Sequence, residues 1–196
     1  MMHEADSHPH GTEIPRHLLA PLTNGESIMD PAGRIDAPKQ ALRLLIPVTA
    51  SEDSRWGVSY ALRLAEKGQR IEVCFLNVGE IITQWQVLRF RTQAEIAKFQ
   101  SERAQAFIDE ASSPLVTHNI PFRGVFKRGD PVFCILDAAE ELDCDQIVMP
   151  NPGGGICGFF SRNIVTAVAR RSHVVPVVTV DSNGTPSDAI KIPKRC

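Results

Sequence analysis

The sequence has no long apolar run. Nowhere in its 196 residues does it approach the roughly 20 consecutive apolar residues that a membrane helix needs, so we expect no membrane protein. Residues 1–30 mix His, Pro, Glu and Asp and lack the apolar core of a secretory signal. We therefore expect a cytoplasmic protein.

The chain also lacks a surplus of charge. Lys and Arg number 21 against 23 Asp and Glu, which gives a formal net charge of −2. A protein dedicated to nucleic acid or to anionic membranes usually has a basic surplus, so we expect neither partner. Hydrophobic residues make up 43% of the chain, which is enough to form a buried core.

Tightly spaced cysteines are missing as well. The five cysteines include no C-x-x-C pair, whereas a zinc site or a disulfide framework would space them more closely. Most of them look like small core residues, and Cys157, in a glycine-rich segment, leaves a redox role open. No Ser-His-Asp or Cys-His spacing stands out, so we expect no dedicated catalytic residue and no metal site.

The chain divides into three parts. Residues 1–40 are rich in Pro, Gly, His, Asp and Ser without a sustained period and are typical of a flexible extension. Residues 41–180 alternate apolar runs with amphipathic stretches and form the predicted domain, and residues 181–196 form a polar tail. The predicted strands are 42–48, 70–78, 121–127, 146–149 and 174–180, and the helices between them begin near Ser51, Gln93, Pro131 and Ser161.

Local signals define several helix ends. Asp130 followed by Pro131 is typical of an N-cap and a first helical position, and Gly68 is suited to end the first helix. Ser51 is a possible N-cap of that first helix. In the helix predicted over 93–112, the buried residues are expected to be the four apolar residues Ile96, Phe99, Ala106 and Phe107.

Strands that alternate with helices predict a parallel sheet with helices on both faces. Such sheets bind ligands beyond the carboxyl ends of their strands, at the point where the strand order reverses. The first and fourth strands should flank that point. Residues 49–53 and 150–161 should then lie at the same edge of the sheet.

The segment 151–161, NPGGGICGFFS, contains four glycines and leads into a helix. Glycines let backbone N–H groups approach an anion closely, and the amino end of a helix adds partial positive charge. Ser161 can donate a hydroxyl to a phosphate or cap the helix, and Arg162 can supply a countercharge. The segment is not a P-loop, and turns of this kind also occur for geometric reasons alone.

Three blocks of the sequence resemble the universal stress protein family: LRLLIPVTASEDSRWGVSYALRLA over 42–65, KRGDPVFCILDAAEELDCDQIVM over 127–149, and the glycine segment with the last helix and strand over 153–180. The resemblance covers roughly residues 41–180. It implies an open five-stranded parallel sheet in the order 3-2-1-4-5 with helices on both faces, and dimers that often pair their last strands. Many members bind ATP.

The chain departs from the ATP-binding pattern of that family at two places. The pattern is similar to G-x-x-G-x9-G-[ST], and Gly153 alone of its four positions matches without a shift, because Pro150, Asn163 and Ile164 stand at the others. ATP-binding relatives commonly read P-V-D at the end of the first strand, where this chain has Thr49. Threonine can form hydrogen bonds but supplies no carboxylate.

These features give three hypotheses. The first is a stress-response or signalling module that binds an adenine nucleotide, ATP, at the glycine-rich segment. The second is a nucleotide-free interaction protein of the same fold, a homodimer through the last strand, with Trp85, Leu88 and Phe90 as an apolar patch. The third is an enzyme with, at most, slow ATP hydrolysis. For the first hypothesis, nucleotide binding, the implied residues are Thr49, Ala50, Val125, Arg128, Gly153, Gly154, Gly155, Gly158, Ser161 and Arg162.

Overall fold

The computed structural model describes residues 41–81, 92–151 and 162–187, with the backbone alone for Arg162. The strands are β1 Leu42–Pro47, β2 Ile71–Gly79, β3 Phe122–Arg128, β4 Gln146–Pro150 and β5 Val177–Val180. The helices are a short 3-10 helix Glu52–Arg55 and the α-helices α1 Trp56–Glu66, α2 Gln93–Thr117, α3 Pro131–Glu141 and α4 Arg162–Arg171. Strands and helices alternate as the sequence predicts.

The strands form one parallel sheet in the order β3-β2-β1-β4-β5, which confirms the predicted fold class. β1 is the central strand: Leu44 lies opposite Val73 of β2 on one side and Gln146 of β4 on the other. The strand order therefore reverses between β1 and β4, as expected for a sheet of this topology.

Two hydrophobic layers cover the two faces of the sheet. Successive side chains of a strand point to opposite faces, and in β1 Leu44 and Ile46 enter one layer while Leu45 enters the other. Both faces are buried, which explains why β1 and β2 read as nearly continuous apolar runs. The first layer packs α1 and α2 on the sheet through Val58, Ala61, Ile108 and Leu115, and the second packs α3 and α4 through Ile135, Ala139, Val165 and Val168.

Two predicted helix ends are confirmed. The Asp130 carboxylate accepts a hydrogen bond from the Phe133 N–H at 2.9 Å, and Pro131 stands at the first position of α3. Gly68 follows α1 with a φ of +79°, a conformation that favours glycine.

Two other helix starts differ from expectation. Ser51 stands at the N-cap of the 3-10 helix, but its hydroxyl donates to the Asp53 carboxylate and makes no capping bond to the backbone. The sequence analysis missed a capping box at α2, where Thr92 Oγ1 accepts from the Glu95 N–H at 3.2 Å and Glu95 Oε2 accepts from the Thr92 N–H at 2.8 Å.

The buried face of α2 differs from the predicted one. Phe99 is 58% exposed and Ala106 is also exposed, while Ile96 is buried and Phe107 is half-buried. The Arg103 guanidinium lies 5.7 Å from the centre of the Phe99 ring and 5.4 Å from that of the Phe107 ring. The three side chains therefore form cation–π contacts along α2. The residues that α2 buries are Ile96, Ala104, Ile108, Ala111, Ser112 and Leu115.

The last strand is shorter than predicted. The apolar run begins at Val174, which is 76% exposed, whereas β5 begins at Val177. Pro176 has no N–H to give to a neighbouring strand, so pairing with β4 starts at its carbonyl, which accepts from the Ile147 N–H at 2.9 Å.

Some expectations concern residues outside the described ranges: the extension 1–40, the patch residues Trp85, Leu88 and Phe90, and Cys157. Within the described ranges, no helix is long and apolar enough to cross a membrane.

Candidate functional site

The carboxyl ends of β1 and β4 lie side by side at one edge of the sheet. The two strands run parallel, with Leu45 opposite Ile147, and end at Pro47 and Pro150. The segments that follow them therefore start from neighbouring points. This register brings residues 49 and 150 near each other, as the sequence predicts.

Thr49 organises the turn after β1. Its Oγ1 accepts a hydrogen bond from the Ser51 N–H at 3.2 Å, and its own N–H donates to Ser54 Oγ at 3.1 Å. The buried Ser54 hydroxyl in turn lies 2.6 Å from the Ser51 carbonyl oxygen, to which it donates. Because Thr49 Oγ1 serves as an acceptor in this turn, its hydroxyl proton is left to donate to another group. Ala50, the next residue, is exposed.

Asn77 joins the carboxyl ends of β2 and β1, and the sequence analysis missed it. Its side chain is buried, and Nδ2 donates to the Val48 carbonyl at 2.8 Å. Val48 precedes Thr49, so this bond fixes the backbone from which the Thr49 turn departs. A single amide inside the apolar run FLNVG could have identified Asn77 as a buried polar residue, but it does not identify the partner.

Arg128 lies at the carboxyl end of β3, opposite Gly79 of β2. One guanidinium nitrogen, Nη2, lies 3.5 Å from Gln93 Oε1, at the outer limit of a hydrogen bond, while Nε is buried and has no hydrogen-bond partner among the residues that the structure describes. Gln100 is also incompletely paired within those residues: its Nε2 donates to the Glu80 carbonyl at 2.9 Å, but its buried Oε1 has no partner there.

Gly79 lies opposite Arg128 in the sheet and close to the Gln100 side chain. A Cβ at Gly79 would lie 3.3 Å from Gln100 Oε1 and 2.9 Å from the Phe126 ring, so glycine is needed for this close packing. Within the described part of the chain, an unpaired donor and an unpaired acceptor thus lie near the paired residues Gly79 and Arg128. Leaving a buried polar group unpaired costs about 1–3 kcal/mol.

Val125 does not reach this edge of the sheet. It lies opposite Leu76, within the paired part of β3, and its side chain packs against the core layer of α3 and α4. The Pro121 carbonyl and the Gly129 N–H both form hydrogen bonds with β2. Backbone groups of successive residues point to opposite sides of a strand. Because Val125 is an even number of residues from both, its backbone groups also point toward β2.

The glycine segment lies outside the described residues. This holds for Gly153, Gly154, Gly155, Gly158 and Ser161, and Arg162 is described by its backbone alone, as the first residue of α4. The structure thus places Thr49, Ala50 and Arg128 at the carboxyl ends of their strands. The segment between Asn151 and Arg162 connects the end of β4 to α4.

The model of the universal stress protein family matches residues 41–181 of the chain. No curated protein matches the sequence. Solved structures share the fold at low sequence identity. A universal stress protein family protein from Burkholderia pseudomallei has a TM-score of 0.55 and 15% identity over 70% of this chain and 94% of its own.

Two further similar structures contain a nucleotide. A universal stress protein in complex with cAMP has a TM-score of 0.52 and 18% identity, over 71% of this chain and 96% of its own. A universal stress protein family protein from Arabidopsis thaliana, with AMP bound, has a TM-score of 0.54 and 14% identity, over 75% of this chain and 97% of its own.

Proposed function

This chain belongs to the universal stress protein family, and we propose that it binds an adenine nucleotide, ATP among them, at the carboxyl edge of β1 and β4. One observation carries the proposal: the strand order reverses between β1 and β4, and the residues that follow the two strands in the sequence are rich in hydroxyl groups or glycine. The nucleotides named for two structures of the same fold support it.

Thr49 fits a ribose or base. Its hydroxyl is held in the turn by the Ser51 N–H and keeps a proton to donate, and its side chain is half-buried at the edge. Where relatives have a carboxylate that can only accept, Thr49 would donate to a ligand oxygen or ring nitrogen. Ala50 leaves room beside it and adds its backbone groups.

The phosphates would lie at the glycine segment. Backbone N–H groups of Gly153, Gly154, Gly155 and Gly158 would line the anion, the Ser161 hydroxyl would donate to it, and the amino end of α4 with Arg162 would supply positive charge. This part of the proposal rests on the sequence and on the position of the segment between β4 and α4.

Arg128 fits the far side of the ligand. Within the described residues its Nε has no hydrogen-bond partner, and its Nη2 has the 3.5 Å contact with Gln93 Oε1, so the guanidinium would donate to a ligand acceptor at this strand end. The resemblance also implies Val125, but its backbone is directed into the sheet, so it would contribute to this site through packing alone.

The test uses nucleotide-stripped, full-length protein and a fluorescent ATP analogue displaced by ATP, AMP and cAMP. Thr49→Val should weaken binding about 3–10-fold, which corresponds to the loss of one hydrogen bond, while Thr49→Ser keeps the hydroxyl and should bind like the wild type. Arg128→Gln should weaken binding about tenfold or more if the guanidinium contacts the ligand. Arg170→Gln, an exposed arginine at the other end of α4, is the control.

Equal affinity of Thr49→Val, Arg128→Gln and the wild type would place any nucleotide elsewhere and contradict the proposed site. The nucleotide-free interaction protein is the alternative, and the replacement of the acid by Thr49 favours it. A homodimer through the last strand and the cytoplasmic location stay predictions from the sequence, and slow ATP hydrolysis stays the third hypothesis.

A further inference from the structure

Two cysteines, Cys74 and Cys144, lie in the same hydrophobic layer, the one that packs α3 and α4 on the sheet. Cys74 is in β2 and is fully buried, and Cys144 is in the loop between α3 and β4 and is 6% exposed. Cys74 lies opposite Arg123, the second residue of β3, and Cys144 comes just before β4 begins. Both therefore lie in the amino half of the sheet, away from the candidate nucleotide site.

The two thiols are in contact, and an arginine contacts one of them. Cys144 donates a hydrogen bond to the Cys74 sulfur, and the Arg123 Nε donates to the same sulfur at 3.1 Å. These two bonds lower the pKa of Cys74 although burial opposes them, whereas contact with Cys74 and burial raise the pKa of Cys144. Cys74 is therefore the nucleophilic thiolate of the pair, and Cys144 holds the proton.

Charged groups of three strands surround the Cys74 thiol. Glu72 lies two residues before Cys74 on the same face of β2, and its carboxylate accepts from Arg43 Nε of β1 at 3.1 Å. It also lies 4.0 Å from the Arg123 Nε. The Asp145 carboxylate accepts instead from the Arg43 backbone N–H. Two guanidinium groups thus share one carboxylate beside the thiol, which leaves positive charge to balance a thiolate.

The same two arginines hold the loop that carries Cys144. Arg43 Nη1 and Arg123 Nη2 both donate to the Leu142 carbonyl, at 2.9 and 3.0 Å. These bonds keep Cys144 against Cys74. Because Cys144 is close to the surface, a small opening of this loop admits a molecule not much larger than water, while a bulky oxidant would be excluded.

We propose that Cys74 and Cys144 are a peroxide-reactive pair, in which hydrogen peroxide oxidises Cys74 and Cys144 then closes a disulfide. The Cys74 sulfur attacks one peroxide oxygen, so that an S–O bond forms, the O–O bond breaks and hydroxide leaves. The Cys144 sulfur then attacks the Cys74 sulfur, which forms the S–S bond and displaces a second hydroxide. The protons of the two thiols convert both hydroxides to water, and the two electrons that the sulfurs lose reduce the peroxide. This inference does not depend on nucleotide binding.

The test treats reduced, folded, full-length protein with hydrogen peroxide and maps its disulfides by mass spectrometry of a non-reducing digest. We expect a peptide pair joined through Cys74 and Cys144 as the first product, and its return to free thiols on reduction. A first product that joins either cysteine to another one, or leaves both as free thiols, would overturn the proposal. This result is obtained on the wild type, so it stands even where a variant does not fold.

Cysteine variants show whether the pair acts as a unit. Cys74→Ser and Cys144→Ser should each abolish the intramolecular bond. Cys134→Ser is the matched control, because Cys134 is buried in the same layer but burial raises its pKa, and this variant should form the bond at the wild-type rate. Loss of the bond in Cys134→Ser would contradict the assignment.

A rate measurement tests Arg123 as the residue that positions and charges the Cys74 thiol. Arg123→Gln should slow disulfide formation at least about threefold at neutral pH, because fewer Cys74 side chains are thiolates. The difference should shrink as pH rises toward the ordinary thiol pKa of 9.0. Arg43→Gln is the control for loosening of the loop, since Arg43 donates to the same Leu142 carbonyl while its Nε donates to Glu72, and it should slow the reaction less. Equal rates and pH profiles for Arg123→Gln and the wild type would contradict the role of Arg123.

Discussion

Replacing Asn77 by Leu should destabilise the fold by breaking the connection between the ends of β2 and β1. Leu is similar in size but lacks the amide that donates to the Val48 carbonyl at 2.8 Å. A net hydrogen bond contributes about 0.5–1.5 kcal/mol, and stranding a buried acceptor costs about 1–3 kcal/mol. We therefore expect a loss of about 2 kcal/mol, which lowers Tm by about 4–8 °C in a chain of this size.

Urea unfolding followed by circular dichroism measures this loss. The midpoint should fall while the slope m stays constant, because the surface exposed on unfolding is unchanged. Asn163→Leu is the matched control: Asn163 is exposed on α4, and its replacement should change stability by less than about 0.5 kcal/mol. A change this small in Asn77→Leu would refute the reasoning that the amide holds the Val48 backbone.

Two further changes test other contacts. Asp130→Ala removes the cap that accepts from the Phe133 N–H and should cost about 1 kcal/mol of unfolding free energy, whereas Asp130→Asn keeps an acceptor and should cost less; equal losses would contradict the capping role. Hydrogen bonds from Cys144 and from the Arg123 guanidinium, whose Nε lies 3.1 Å from Cys74 Sγ, lower the pKa of Cys74 although burial opposes them. Because this pKa is below that of the unfolded chain, the resulting stability is lost as pH falls through the folded-state pKa, and stability should rise with pH up to the ordinary thiol pKa of 9.0. Arg123→Gln should raise the Cys74 pKa, and a thiolate absorbance titration that does not shift would contradict this.

The order of strands and helices along the chain was predictable because its signals are local, whereas the order of the strands in the sheet came from the family resemblance. Apolar runs, the Asp130-Pro131 helix start and Gly68 are each read within a few residues, and alternation of strands and helices restricts the topology. The face of α2 was not predictable in the same way. Apolar residues lie around much of that helix, and periodicity does not reveal that Phe99 lies on the exposed side, beside Arg103.

Both the candidate site and the turn after β5 depend on contacts between residues far apart in sequence. Asn77 bonds to Val48, and Arg63 bonds to Thr185, across separations that no local pattern encodes. The turn at Asp181 has a local signature in DSNG, yet its position on the edge of β5 is set by the close approach of Gly184 to α1. Residues 181–196 are polar, so the sequence predicts a tail there, because composition does not show such packing.

Calorimetric titration of ATP into nucleotide-stripped protein, with Gly153→Val as the paired variant, tests the central claim most directly. Valine at that position should prevent close approach of the backbone to a phosphate. The account predicts micromolar binding in the wild type and its loss in Gly153→Val. No heat of binding up to millimolar ATP would contradict nucleotide binding for ATP and favour the nucleotide-free interaction protein.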